Sequence, residues 1–292
     1  MSYQLKTPEG RQLATKSYGD PDGKPVFLLH GTPGSRLGPR PRGAVLHRLG
    51  IQLITYDRPG YGKSDRHEGR RVADAATDVL TMADAYGVDK FAVVGRSGGG
   101  PHALACAALM PERITKAAVL VGLAPQGAKG LDWYDGMTRY NVYEYKAAAK
   151  GYDGLAAMTE ATAEAVRVDP ASLLASLHPE MPDSDRRVVA DPGIRAQLLE
   201  TYAEALRTSA DGWIDDVLAF RRPWGFDPST IRIPVLLWHG AVDNFSPVGH
   251  AMWLAQRIAS ATVVVQAGAA HFSALDVLPD ILRWLSSETQ AS

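Results

Sequence analysis

Phe91-Ala92-Val93-Val94-Gly95-Arg96-Ser97-Gly98-Gly99-Gly100-Pro101-His102-Ala103-Leu104 is the stretch on which the fold turns. Its first four residues are apolar and read as a buried strand, and the alanine-rich run 101–109 reads as a helix. Between them lies Gly95-Arg96-Ser97-Gly98-Gly99, a G-x-S-x-G. In that context the pattern predicts a sharp turn that lifts a serine hydroxyl above the edge of a sheet. The glycines have a steric reason. The serine backbone is forced into a sparsely populated conformation, and side chains two positions to either side would collide as strand and helix pack.

Working outward, short apolar runs recur at 26–29, 51–56, 91–94, 117–121, 235–238 and 262–265. They are continuous rather than alternating, which predicts parallel strands covered on both faces. Helical segments separate them, at about 39–49, 73–86, 101–110, 247–258 and 272–285. Residues 2–6 and 11–18 flank the turn signal Pro8-Glu9-Gly10 and predict an antiparallel hairpin on the sheet edge. The sum is an α/β fold, a mostly parallel, doubly wound sheet of about eight strands.

The rhythm breaks over 125–225, where no strand candidate occurs. Leu131, Tyr134, Met137, Thr138, Asn141, Val142, Tyr145 and Ala149 recur at helical spacing, and Pro170, Pro179, Pro182 and Pro192 divide the rest into short helices. The expected organisation is a core of 1–124 and 226–292 with a helical cap, 125–225, over the site. A helical dimerisation surface is the alternative reading, and the sequence leaves the oligomeric state open. Trp133, Tyr134, Tyr140, Tyr143 and Tyr145 are the candidate walls of a substrate pocket, since small-ligand sites are lined mainly by apolar and aromatic groups.

At 292 residues and a formal net charge of −1, the chain offers no electrostatic reason to bind nucleic acid or an anionic membrane. The basic cluster Arg36, Arg40 and Arg42 reads as a solvated loop and helix face. One cysteine, Cys106, excludes an internal disulfide and reads as a small buried hydrophobe. Neither an apolar leader nor a run of 18 apolar residues is present, so a cytoplasmic location is the expectation.

A serine hydroxyl is a poor nucleophile at neutral pH, so a histidine must take its proton and a carboxylate must orient that histidine. His271, in Gly268-Ala269-Ala270-His271-Phe272, follows the last strand candidate and emerges at its carboxyl end, where open α/β sheets bind ligands. Asp243 follows the preceding strand and emerges at the same edge. The order Ser97, Asp243, His271 is the chain order that accompanies this turn. An oxyanion needs backbone donors, here the amide of Gly98 and, from the loop His30-Gly31-Thr32-Pro33-Gly34, that of Thr32, with Gly34 as second choice. His30 is expected to hold that loop rather than act as a base. Gly62-Lys63-Ser64 ends like a phosphate-binding loop, but Asp57 stands where its first glycine belongs. No His, Cys and carboxylate cluster has metal-site spacing, so no metal and no cofactor are expected.

These motifs together resemble the α/β-hydrolase superfamily. His30-Gly31-Thr32-Pro33-Gly34 looks like the family's oxyanion loop, and Asp57-Arg58-Pro59-Gly60-Tyr61-Gly62-Lys63-Ser64 like the turn after its fourth strand. Within it, the patterns are similar to serine esterases of the aclacinomycin methylesterase type and to relatives of proline iminopeptidase. The resemblance implies a Ser97–Asp243–His271 triad with Thr32 and Gly98 as oxyanion donors. Gly98 departs from iminopeptidases, which usually carry Trp there, and Ser97 replaces the aspartate of epoxide hydrolases and haloalkane dehalogenases. The expected function is hydrolysis of a carboxylic ester, thioester or lactone of a small to medium apolar molecule. The alternatives are carbon–carbon bond hydrolysis, perhydrolysis or lyase chemistry on the same scaffold, and a small-ligand receptor. Arg96 and His102 receive no assigned role.

Overall fold

The computed structural model describes residues 2–288, the side chain of residue 2 excepted. Its strands are β1 (Ser2–Lys6), β2 (Gln12–Gly19), β3 (Lys24–Leu29), β4 (Ile51–Tyr56), β5 (Phe91–Arg96), β6 (Ile114–Leu120), β7 (Val235–Gly240) and β8 (Ala261–Gln266). Among the described residues they form one sheet in the order β1-β2-β4-β3-β5-β6-β7-β8. The β1–β2 hairpin joins β4 antiparallel, and every later pairing is parallel.

The order reverses at β3. The chain goes from β3 to β4 on one side, then returns to lay β5 on the other. The loops leaving β3 and β5 therefore diverge and open a crevice at the carboxyl ends of the strands. Thr32 follows β3 and Ser97 follows β5, so topology alone brings them to one place.

Strand alternation divides the core. Phe27, Leu29, Val93 and Val119 face one side, with the helices α2 (Ala75–Ala85) and α3 (Gly99–Leu109) packed there; α1 (Gly43–Arg48) comes earlier in the chain. Val26, Leu28, Ala92, Val94 and Leu120 face the other. That second face receives Leu46 of α1 and the row Leu278, Ile281, Leu282 and Leu285, whose spacing makes one apolar stripe. Cys106 is fully buried in α3, where burial pushes its thiol up.

Between β6 and β7 the regular elements are helical: α4 (Arg139–Ala147), α5 (Tyr152–Val168), α6 (Ser172–Leu177), α7 (Asp183–Ala190), α8 (Pro192–Ala205) and α9 (Asp211–Arg221). Two more, α10 (Gly249–Ala255) and α11 (Ala274–Ser286), follow β7 and β8. No helix of the described residues is long and apolar enough to cross a membrane.

Three expectations need correction. Residues 131–138 form turns, not helix: Gly130 and Gly136 take φ of +82° and +76°, and α4 starts only where Thr138 Oγ1 accepts from Asn141 N–H at 3.2 Å. β8 is the sheet edge, so its valines are not covered on both faces; Val264 and Val265 are exposed. Arg36 is not solvated. It is buried, paired with Asp57 and, at 2.7 Å, with Glu204 of α8. Arg40 lies over the Tyr18 ring at 3.8 Å.

Candidate active site

Ser97 takes φ of +54°, in the left-handed region that a residue with a side chain occupies at a cost of about 1–3 kcal/mol. Its N–H donates to Leu120 O at 2.8 Å, and its carbonyl accepts from Gly100 N–H at 2.8 Å, so both neighbouring elements hold the turn. A Cβ at Gly95 would collide with the Gly99 carbonyl, and one at Gly99 with the Leu29 carbonyl. Those approaches are the physical content of the two outer glycines.

Asp243 lies in the turn after β7. Its Oδ1 accepts from the N–H groups of Phe245 (2.8 Å) and Ser246 (3.0 Å). Its Oδ2 accepts from His271 Nδ1 at 2.9 Å. A carboxylate only accepts, so Nδ1 carries the proton and Nε2 is left as a base. His239, at the end of β7, brings Nε2 to 3.4 Å from the same Oδ2 while donating to Ser246 O. Burial alone would raise the Asp243 carboxyl, but the two histidines outweigh it and hold it below the usual carboxylate range.

The His271 loop is fixed from outside. Asp185 of α7 accepts from the N–H groups of His271 (3.1 Å), Phe272 (2.7 Å) and Ser273 (3.3 Å). These are donors at the start of α11 that the helix itself leaves unpaired. Burial pushes Asp185 up to about 6, against the opposing pull of His271 and these N–H groups.

The loop after β3 is fixed by a buried ionic cluster. Arg58 donates to the carbonyls of His30 and Gly31 and to Thr32 Oγ1. Asp216 of α9 accepts from Thr32 Oγ1 (2.7 Å), Arg58 (2.5 Å) and Tyr61 OH (2.8 Å), and pairs with Arg70 (2.7 Å). Burial would raise Asp216, yet Arg58 and Arg70 keep it well below the carboxylate range. His30 donates to Gly31 O through Nδ1 (2.7 Å) and accepts from Arg58 N–H through Nε2 (3.1 Å); burial holds it neutral. Thr32 and Gly98 lie against each other. A Cβ at Gly98 would collide with Thr32 Oγ1 and come within 3.0 Å of Phe220.

Ser97, Gly98, Thr32 and His271 line one cavity of about 80 Å³. Its opposite wall comes from the inserted helices: Tyr140, Glu144 and Tyr145 of α4, Leu173 and Leu177 of α6, and Trp213 of α9. Of the five aromatic residues expected there, only Tyr140 and Tyr145 face it. Tyr143 is 64% exposed, on the solvent side of α4. Trp133 is buried elsewhere, donating Nε1–H to Ala124 O at 2.8 Å and packing on Tyr145 and His250. Tyr134 accepts from Gln126 Nε2 at 2.8 Å, away from the cavity. The helix phase is the cause, because α4 begins at Arg139 and only its own periodicity selects what points inward.

His102 is a buried helix histidine, 3.3 Å from Asp216 and pushed down to about 4 chiefly by burial. His250 is buried and its Nδ1 accepts from Ala124 N–H at 3.1 Å. Arg96 is buried beside Gly31. Sequence reasoning missed Glu144, Asp185, Asp216 and His239. For His239 a signal existed, its spacing of four from Asp243; the two aspartates carried none.

A family model described as alpha/beta hydrolase fold matches residues 24–276, and the chain belongs to that family. A proline iminopeptidase from Neisseria gonorrhoeae is 33% identical over 122 residues, 41% of this chain and 39% of that protein. Epoxide hydrolase B of Mycobacterium tuberculosis is 33% identical over 116 residues, 38% of this chain and 33% of that one. The chain thus spans about two fifths or less of the length of these relatives. The enol-lactonase from Burkholderia xenovorans LB400 superposes with a TM-score of 0.70 at 20% identity, covering 98% of this chain and 100% of that one, a likeness of fold.

Proposed function

We propose that the protein is a serine hydrolase that cleaves a carboxylic ester through an acyl-enzyme. The observation that carries the reading is the His271 Nδ1–Asp243 contact at 2.9 Å, with His271 opening on the same cavity as Ser97. Ser97 Oγ attacks the acyl carbon as its proton passes to His271 Nε2. Asp243 holds the imidazole in the required tautomer and stabilises the imidazolium. The amides of Thr32 and Gly98 receive the oxyanion, and collapse expels the alcohol with the proton from His271. Water, deprotonated by His271, then releases the acid. The steps call on no metal or cofactor.

In this reading residues 125–225 are a cap that selects substrate and takes no part in bond breaking. An ester is favoured over a peptide by the crowding at Gly98: Thr32 and Phe220 leave no room for the tryptophan usual in iminopeptidases. A cavity of about 80 Å³ is smaller than the roughly 150 Å³ void that accepts benzene, so the group enclosed is small.

A fluorophosphonate should label Ser97 stoichiometrically, and p-nitrophenyl acetate should turn over. Labelling that persists in Ser97→Ala would overturn the assignment, and labelling without turnover would favour a receptor.

A further inference from the structure

The wall of the cavity carries a carboxyl with one oxygen that the described residues leave unpaired. Glu144 sits on α4, 6% exposed, within the wall that faces Ser97. The Trp213 side chain donates to its carboxyl, but Oε1 is buried and makes no hydrogen bond. Tyr140, one helical turn earlier on the same face, also lines the cavity, its hydroxyl buried beside Thr162. A buried, unpartnered polar atom costs about 1–3 kcal/mol, and one that lines a cavity is placed to recover that cost from a group that enters it.

The charge of that partner follows from what surrounds it. Among the described residues, no lysine or arginine lines the cavity. Burial pushes Glu144 up to about 8, so at neutral pH it is an uncharged O–H donor. A substrate carboxylate there would be desolvated without a counter-ion. The groups that titrate around Glu144 are the phenols of Tyr140 and Tyr145, both raised by burial, and the His271 imidazole across the cavity.

Resting on the serine esterase reading, we propose that Glu144, with Tyr140 beside it, is a specificity subsite for an uncharged oxygen. The preferred ester carries a ketone, hydroxyl or ether oxygen on the half that lies under α4, and is refused when a carboxylate stands there. The substrate is therefore a bifunctional oxygenated ester, not a plain alkyl one.

The test compares matched esters. Phenyl 4-oxopentanoate against phenyl pentanoate places the ketone in the acyl half, and acetonyl acetate against butyl acetate places it in the alcohol half. In at least one pair the ketone should win by about tenfold in kcat/KM, the worth of one hydrogen bond. Glu144→Leu should bring that ratio below about twofold, while Glu144→Gln, which still donates, should keep most of it. Monophenyl glutarate should be the poorest substrate. Equal rates within both wild-type pairs, or a ratio that survives Glu144→Leu, would overturn the subsite. So would a preference for phenyl 4-(trimethylammonio)butanoate, which would make Glu144 an anionic site for a cation. Stoichiometric fluorophosphonate labelling of wild-type Ser97 tests the esterase reading separately: with labelling intact and flat ratios, only the subsite falls.

Discussion

The floor of the cavity, taken as the Thr32 and His271 loops with the carboxylates that hold them, and its roof on α4 are both built from buried polar groups, but only the floor is closed on itself. Asp243 takes two backbone N–H groups and His271; Asp216 takes Arg58, Arg70, Tyr61 and Thr32. Both carboxyls sit below the usual range despite full burial. In the roof, Glu144 has Trp213 alone and is pushed the opposite way. The number and charge of the donors set the outcome, not the depth of burial. A saturated carboxylate is architecture; an unsaturated one is available to a ligand.

The comparison is sharpened first at the floor, where the losses should be largest. Ser97→Ala and His271→Ala should each lower kcat by about 10⁶, and the double variant by about as much, because such groups act as a unit. Steady-state and burst kinetics on a phenyl ester read this, and additive losses would separate the two residues. Asp243→Asn should cost about 10⁴ in kcat through the wrong histidine tautomer, with a circular dichroism spectrum like the wild type.

Asp216→Ala strips Arg58 and Arg70 of their partner and should destabilise the fold by about 3–5 kcal/mol in urea titration. A loss under about 1 kcal/mol would mean that the ionic cluster does not hold the loop after β3.

The roof should respond in the other direction. Glu144→Leu removes an unsatisfied oxygen but also the partner of the buried Trp213 side chain, so the two effects, about 1–3 kcal/mol each, should nearly cancel at pH 5 and any gain should come as the pH rises. The sign of its pH dependence follows from the raised value. With a folded pKa of about 8 against an ordinary 4.5, wild-type Glu144 lowers stability progressively as pH rises across that interval. The gain from Glu144→Leu should therefore widen between about pH 5 and 8 in thermal melts. A narrowing gain would place Glu144 with Asp216, as a paired and structural charge.

The strands were legible because their information is local. The run 51–56 coincides with β4, and Gly95 to Gly99 announced the turn before α3 through steric needs written in five adjacent residues. The hairpin around Pro8-Glu9-Gly10 and the helical content of 139–221 were equally readable. Tyr140 and Tyr143 show where legibility ends. Both are tyrosines on one helix, and only the start of α4 at Arg139 decides which turns inward. Asp185 meets the His271 loop across 86 positions, and Asp216 meets Arg58 across 158. No periodicity or turn signal encodes such pairings, because they exist only after the inserted helices have docked.

That docking also determines where the small cavity can widen. α7 is tied through Asp185 to the His271 loop, and α9 through Asp216 to the loop carrying Thr32. Neither can lift without dragging the His271 loop or the Thr32 loop with it. α6 meets the cavity through Leu173 and Leu177 alone, contacts that slide at little cost. With α8 also held, through Glu204 to Arg36, the lining that carries no bond to those loops is Leu173 and Leu177 of α6, where room for a larger group breaks no hydrogen bond.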